Sequence, residues 1–379
     1  MHGQNTETPC AAQVYEFAFE PVPKGHKKTT SSIFIVLAGY VTALSCLATG
    51  AKIGGLMTFQ NAVWACFTGN AVLFCMAVLL GIVACETGWS TTFLSRQVFG
   101  KTTSRLFSFL IILSSVIWIG LNGDLFSRMI ARSFTWWPLP TALTAVLVIG
   151  IWTQSAMRGW KGIELVSWIA VPIAVSIIGV CAYDIWTTVG FVTITTYKPL
   201  QPLSFTAASS AIVGNFVFGC TITPDVCRFA RSRKAVLIAV FFALLIGLFG
   251  LNVCGVLIAQ TAGNTDFNHA VATLGLSLPV FLCAVFCLWP TQDNNIYGGS
   301  LAIQNILQGT QLEGFVSHRF LACILACLSA IFAAIGAAHY LLPIIIMLSV
   351  LLPPVSGMLF AEYFFVKRSR EKQTGNWIA

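Results

Sequence analysis

Charge is what this sequence has least of. Asp, Glu, Lys and Arg make up 9% of its 379 residues, where soluble domains carry roughly 25%. Too few charges are present to cover a water-facing globule, and 57% hydrophobic residues mark a polytopic membrane protein. Metal-type cysteine spacing is missing as well. The 13 cysteines contain no CxxC pair, and Cys66, Cys75, Cys181, Cys254 and Cys283 lie inside apolar runs, where they serve as small apolar side chains. Residues 1–30 are polar without an apolar core segment, so no cleavable signal peptide is expected. The net charge of +8 is dispersed through loops, which excludes a nucleic-acid surface. Clusters of His, Cys or carboxylates suited to a membrane enzyme are lacking. The polar positions are mostly amides and hydroxyls, which transfer protons poorly near neutral pH.

What the chain does have is apolar runs, ten of them, near 31–50, 58–85, 103–125, 139–156, 163–186, 206–223, 234–260, 278–302, 318–336 and 338–366. Place the N-terminus in the cytoplasm and let every run cross. Of the 21 Lys and Arg, only Lys52, Arg128, Arg132 and Lys198 then fall outside. That positive-inside bias puts both termini in the cytoplasm of a plasma (inner) membrane protein. The expected organisation is a cytoplasmic tail over 1–30, a ten-helix core over 31–366 and a basic cytoplasmic tail over 367–379. The core divides into repeats of about 31–190 and 206–366, and the tail holds no folded soluble domain.

Polar groups interrupt three of the runs. In segment eight, Pro290, Thr291, Gln292, Asp293, Asn294 and Asn295 stand consecutively at mid-membrane. Each unpaired polar group in hydrocarbon costs several kcal/mol, so this stretch faces protein or trapped water. Proline also frees a carbonyl one turn back, within a cation's reach. A kinked core helix is the plainer alternative. Segment one contains Thr49, Gly50, Gly54 and Gly55 near its outer end, and segment six is interrupted around Gly219 to Pro224. Broken helices in the first and sixth positions of two five-helix halves point to a midplane site between inverted repeats.

Segment three carries Trp118 far from the headgroup belt, with Ser115 and Asn122 on the same helical face. That setting suits stacking of a flat ring with hydrogen bonds at its edge, and Phe216, beside Asn215 and Gly219, supplies an opposing face. Asp124 is expected to pair with Arg128 four residues on, and Asp225 and Arg228 to pair with each other or across to another loop. Lys52 is expected to reach outward, and Glu86 and Asp184 to be solvated at segment ends. His339 receives no role.

Several strings resemble the nucleobase–cation symporter family, in its cytosine permease branch. They are PVPKGHKK before segment one, ETGWSTTFLSRQVFG after segment two, the tryptophan of segment three and LVSWIAVP in segment five. TPDVCRFARSRKA follows segment six, TQDNNIYGGSLAIQNI lies in segment eight and LLPPVSGMLFAEYFF in segment ten. The resemblance implies an all-α, leucine-transporter-like fold of two inverted five-helix repeats with helices one and six broken. The family usually adds two further helices; this chain is similar to the ten-helix core. By position, Trp118 and Phe216 match the aromatics that sandwich a base. Gln292 stands where the family has an edge-reading asparagine, Ser115 where it has glutamine and Phe218 where it has a small polar residue. Gly219 matches a small residue approached by the base. A sodium site would draw on main-chain carbonyls near Tyr40, Ala43 and Cys287 and on hydroxyls at 290 and 291, of which Pro290 has none and Thr291 keeps one.

The expected function is a secondary active transporter that imports a nucleobase or related heterocycle with sodium or a proton. Its partners are then the solute, the cation and the bilayer, with no cofactor beyond a sodium ion. Moving hydrogen-bonding groups at 115 and 292 changes which ring edge the site accepts, so hydroxymethylpyrimidine, hydantoin and allantoin are alternatives to cytosine. A non-transporting membrane sensor on the same fold would call for a signalling domain, and none is seen.

Overall fold

The computed structural model describes residues 17–18, 20–189, 196–265, 267–312, 316–337 and 341–367. His339 and both chain ends lie outside this set, as does the side chain of Asp184. Segment one consists of two helices, α1 (Thr30–Val41) and α2 (Leu44–Leu56), and segment two is α3 (Phe59–Thr87). Segment three becomes α4 (Thr91–Ser133), which bends at Gly100, where φ is 76°. Then come α5 (Thr141–Ala156) and α6 (Trp160–Val189). Segment six is again a pair, α7 (Phe205–Thr221) and the short α8 (Thr223–Cys227). A span over Arg233–Ala262 contains α9 (Arg233–Ala243), a π-helical turn (Leu244–Phe249) and α10 (Gly250–Ala262). The order ends with α11 (Phe267–Thr273), α12 (Ser277–Leu307), α13 (His318–Ala334) and α14 (Leu341–Ala361).

Hydroxyl side chains start many of these helices. Thr29, Ser90, Ser204, Ser232 and Ser317 each accept a hydrogen bond from the backbone N–H three residues on, satisfying a donor that the first turn would leave orphaned. Gly88 and Gly263 close α3 and α10 in the left-handed conformation. In α12 the run from Pro290 to Asn295 stays helical and wholly buried. The lack of an N–H at Pro290 therefore costs a hydrogen bond without breaking the span.

Two groups of helices pack against each other. One joins α1, α2, α3, α7, α8, α9 and α10; the other joins α4, α5, α12 and α13. The α4–α12 pair is the most extensive contact between elements. It relates the third span to the eighth, equivalent positions in a five-plus-five inverted repeat. Leu143, Val146, Leu147 and Ile151 of α5 are exposed, as suits a face turned to lipid.

The break in helix one lies elsewhere than expected. α1 ends at Val41 and α2 starts at Leu44, with a bend of 55° between them, while Thr49 to Gly55 are helical. Those glycines serve close packing instead. A Cβ on Gly50 would collide with the Asn252 carbonyl, one on Gly54 would stand 2.6 Å from Val256 Cα, and one on Gly255 would run into the Leu47 carbonyl. Small residues let α2 and α10 meet backbone to backbone. Segment six breaks at Ile222, inside the expected stretch.

Beyond the spans, Glu86 is exposed yet bound by Arg233 and by the Tyr363 hydroxyl. Lys52 is exposed on α2. Val22 N–H donates to the Gly88 carbonyl and Lys28 N–H to that of Phe229. These bonds lay the segment before α1 across the ends of α3 and α8. There Lys27 Nζ donates to the carbonyls of Arg228 (2.6 Å) and Cys85 (3.1 Å). Burial, with the Arg228 charge nearby, lowers the Lys27 ammonium below its ordinary value against the opposing pull of Cys85.

The close α2–α10 approach makes a quantitative expectation. Gly255→Ala should cost about 1–3 kcal/mol through overpacking, read as a lower unfolding temperature of the detergent-solubilised protein. Gly179→Ala, where an added Cβ meets nothing within 4 Å, should leave that temperature unchanged.

Candidate functional site

The two breaks face α4 and α12 across a small cavity. It is lined by Tyr40, Ala43 and Ser45 from helix one, Trp118 and Asn122 from α4, and Asn215, Phe216, Phe218 and Gly219 from α7. Thr291 and Asn295 of α12 complete it. The spacing explains the membership: 118 and 122, like 291 and 295, are one helical turn apart. One turn further along the same stripe, Ser115 packs on Gly299. An added Cβ there would lie 2.9 Å from the Ser115 hydroxyl oxygen.

Trp118 and Phe216 are both buried, and the Phe216 ring lies over Gly219 so closely that a Cβ at 219 would collide with it. Tyr40 stands beside Phe216, with ring centroids 5.3 Å apart and planes at 55°. As room for the centre of a water molecule the cavity is ≈ 20 Å³, space for about one water. A flat ring therefore enters only when these aromatics separate. Around the cavity three hydrogen-bonding groups have no partner among the described residues: the indole N–H of Trp118 and the side-chain carbonyls of Asn122 and Asn215. Unspent buried groups of this kind each cost roughly 1–3 kcal/mol. A solute edge that offers one acceptor and two donors would recover that cost.

Of the expected solute-contacting residues, Trp118, Phe216, Phe218 and Gly219 line the cavity, whereas Ser115 and Gln292 do not. Gln292 is fully buried one step round α12, where its carbonyl accepts from Asn295 Nδ2 at 3.2 Å. Asn295 reaches the cavity in its place. Asn122 and Asn215 were visible beside the two aromatics, but spacing alone did not say which amide turns inward.

Beside the cavity, the ends of α1 and α2 leave carbonyls without the N–H that a continuous helix supplies. Ala43 N–H turns back to the Val41 carbonyl at 3.0 Å. The Thr291 hydroxyl oxygen sits among four carbonyl oxygens: Cys287 at 2.8 Å, Tyr40 at 3.2 Å, and Gly39 and Thr42 at 3.3 Å. One hydroxyl has one proton to donate, so this oxygen cluster is electronegative beyond what the threonine neutralises. Tyr40, Cys287 and Thr291, three of the residues expected around a cation, thus come together. Ala43 does not share that position, since its carbonyl accepts from Cys46 N–H at 3.0 Å, and Gly39 and Thr42 stand there instead. Pro290 adds no side-chain oxygen; its Cβ would lie 2.8 Å from a Cβ on Gly39.

Ionic groups flank the site. Asp124 holds Arg128 through two contacts, 2.8 Å and 3.3 Å, as the spacing implied. Arg228 stays beside Asp225, its Nε donating to the Asp225 backbone carbonyl at 3.2 Å. The Asp225 carboxylate accepts from Thr91 N–H at 2.8 Å, at the start of α4. The Arg228 guanidinium, fully buried, donates to the Tyr297 hydroxyl and the Phe17 carbonyl, each at 2.8 Å. Among the described residues no group of three or more His, Cys, Asp or Glu is placed to hold a metal ion.

Residues 21–375 match the profile of a family described as permease for cytosine/purines, uracil, thiamine, allantoin. The cytosine permease of Escherichia coli (strain K12) is 26% identical over 382 residues, covering 97% of this chain and 87% of that protein. Its counterpart in Escherichia coli O157:H7 matches equally. Among solved structures, Mhp1, a nucleobase-cation-symport-1 family transporter in a closed conformation with bromovinylhydantoin bound, superposes with a TM-score of 0.80. The identity is 15%, and 93% of this chain and 82% of that one are covered. A Na+-coupled sialic acid symporter in a substrate-bound outward-open state gives 0.65 at 12% identity, covering 94% of this chain and 82% of that one. The fold is therefore that of the leucine-transporter-like secondary transporters, and the chain belongs to the family of permeases for cytosine and purines, uracil, thiamine and allantoin.

Proposed function

We propose that this chain imports a nucleobase, cytosine or a related pyrimidine or purine, by alternating access across the plasma (inner) membrane, coupled to a cation. The observation that carries this reading is the trio of unspent hydrogen-bonding groups, from Trp118, Asn122 and Asn215, beside aromatic rings at two helix breaks. A planar heterocycle slides between Trp118 and Phe216 and spends those groups on its edge. Rocking of one helix group against the other then exposes it to the opposite side. Both termini are assigned to the cytoplasm on the distribution of Lys and Arg. A relative named cytosine permease and a fold neighbour with bromovinylhydantoin bound support a small flat solute. A hydantoin, allantoin or hydroxymethylpyrimidine is the second reading, because Ser115 and Gln292 lie outside the cavity and leave Asn122, Asn215 and Asn295 to set the edge pattern.

The cation is assigned to the oxygens around Thr291. Sodium would replace the single shared proton as the partner of the Gly39, Tyr40, Thr42 and Cys287 carbonyls. With proline at 290 the cluster is short of one hydroxyl, which weakens sodium and leaves room for a proton to couple.

Two outcomes are expected. In proteoliposomes loaded with a panel of pyrimidines, purines, hydantoins, allantoin and hydroxymethylpyrimidine, at least one solute should show saturable counterflow that Trp118→Ala abolishes. Normal counterflow in that variant would remove Trp118 from the site, and no counterflow of any solute in the wild type would refute the transporter reading. Pro290→Thr places a hydroxyl next to Gly39 and should tighten sodium about tenfold, the worth of one charge-assisted contact of roughly 1.5 kcal/mol. The measurement is sodium-dependent stabilisation against heat; an unchanged midpoint would place the cation elsewhere.

A further inference from the structure

Between the ends of α3 and α14 and the first turns of α4 lies a second cavity, apart from the one at the helix breaks. On the measure that gives ≈ 20 Å³ for that one, it offers ≈ 210 Å³, room for a group of several non-hydrogen atoms. Val83, Leu94, Val98 and Leu359 give it an apolar side, while Trp89, Gln97 and Glu362 add an indole, an amide and a carboxyl. The distribution of Lys and Arg puts these helix ends at the cytoplasmic surface, the depth at which lipid headgroups meet their acyl chains.

Trp89 is held in place by the chain on either side of it. Gly88, left-handed at φ 71°, ends α3, and Ser90 caps α4. The Trp89 backbone N–H donates to the Thr87 hydroxyl at 3.3 Å. Its ring meets Phe93 edge-on, with centroids 5.4 Å apart and planes at 78°. The indole N–H has no acceptor among the described residues, a cost that a bound acceptor would remove. An apolar ring body that carries one unspent donor suits the boundary between hydrocarbon and headgroups.

Charge decides which headgroup fits. Glu86 of α3 is taken up by Arg233 and by the Tyr363 hydroxyl. Neither ion pair among the described residues includes Glu362, whose side chain is half-buried. No Lys or Arg among those residues lines the cavity, so nothing there holds the extra negative charge of an anionic lipid. A half-buried carboxylate is relieved best by a cation that also donates hydrogen bonds. A primary ammonium does both, a trimethylammonium only the first. Next to Leu359 on α14, Met358 forms an exposed apolar stripe with Leu351 and Met347, along which acyl chains can lie. We propose that this cavity binds an aminophospholipid of the phosphatidylethanolamine type, its ammonium on Glu362 and its phosphate accepting from the Trp89 indole N–H. The lipid then touches α3 of one helix group and α4 of the other.

The test is native mass spectrometry of the detergent-solubilised, delipidated protein titrated with dioleoyl phosphatidylethanolamine, phosphatidylcholine or phosphatidylglycerol. The ethanolamine lipid should bind about tenfold more tightly than either of the others, the worth of one charge-assisted hydrogen bond. Glu362→Gln should erase that preference. Trp89→Phe, which keeps a ring without the N–H, should weaken the ethanolamine lipid several-fold and leave the preference in place. Equal binding of the three lipids to the wild type, a preference that survives Glu362→Gln, or an affinity untouched by Trp89→Phe each overturns the proposal. Soluble glycerophosphoethanolamine distinguishes the source: if it binds as tightly as the lipid, the cavity serves a soluble amine and the lipid assignment falls. Should Glu362→Gln not fold, Val98→Trp, which fills the cavity, decides in its place. Loss of the ethanolamine preference in that variant supports the site, and its retention overturns it.

Discussion

A backbone carbonyl inside hydrocarbon has to find a donor or a cation, and the architecture of this protein follows from where that demand is left open. Along most of each span the helix answers it internally. At Thr42–Ala43 and at Ile222 it does not, and both places are enclosed by protein. The first break gathers three freed carbonyls around the Thr291 hydroxyl, which with Cys287 already has more acceptors than it has protons. The second turns Phe216 and its neighbours toward Trp118. Polar cost is thereby concentrated around the cavity between the two breaks.

The close-packed surroundings keep that cost from collapsing the breaks. Glycines 50, 54 and 255 bring α2 and α10 into backbone contact, so the half of helix one beyond its break is held by a partner helix and cannot realign with α1. On the other side, α4 and α12 form the largest helix pair and present Trp118, Asn122, Thr291 and Asn295 as one polar stripe. The cavity between these two bodies is nearly shut, with Phe216 folded over Gly219 and against Tyr40.

Charge serves the ends of the spans more than their middles. Asp225 caps the start of α4, Arg228 joins α8 to Tyr297 and to the segment before α1, and Lys27 ties that segment to α3 and α8. The elements meeting there come from both repeats. Asp293 differs in depth, an acid in mid-span whose Oδ1 accepts from the Ser155 hydroxyl.

Composition and pattern were enough to mark a membrane protein with several apolar helices, because bilayer thickness translates into the length of an apolar run. They also exposed the polar stretch at 290–295, the interruption near Gly219 and the Trp118 face, since each breaks a rule that hydrocarbon enforces residue by residue. Local sequence misplaced the break in helix one. Glycine marks both a bend and a close approach, and only the presence of α10 against Gly50 and Gly54 tells which is meant. The same limit applied to the site: Ser115 and Asn122 share a helical face with Trp118, as Gln292 and Asn295 share a polar run. Which of them meets the cavity depends on the rotation of α4 and α12 about their axes. That rotation is fixed by contacts such as Ser115 on Gly299, between residues nearly two hundred positions apart, and no local pattern encodes it.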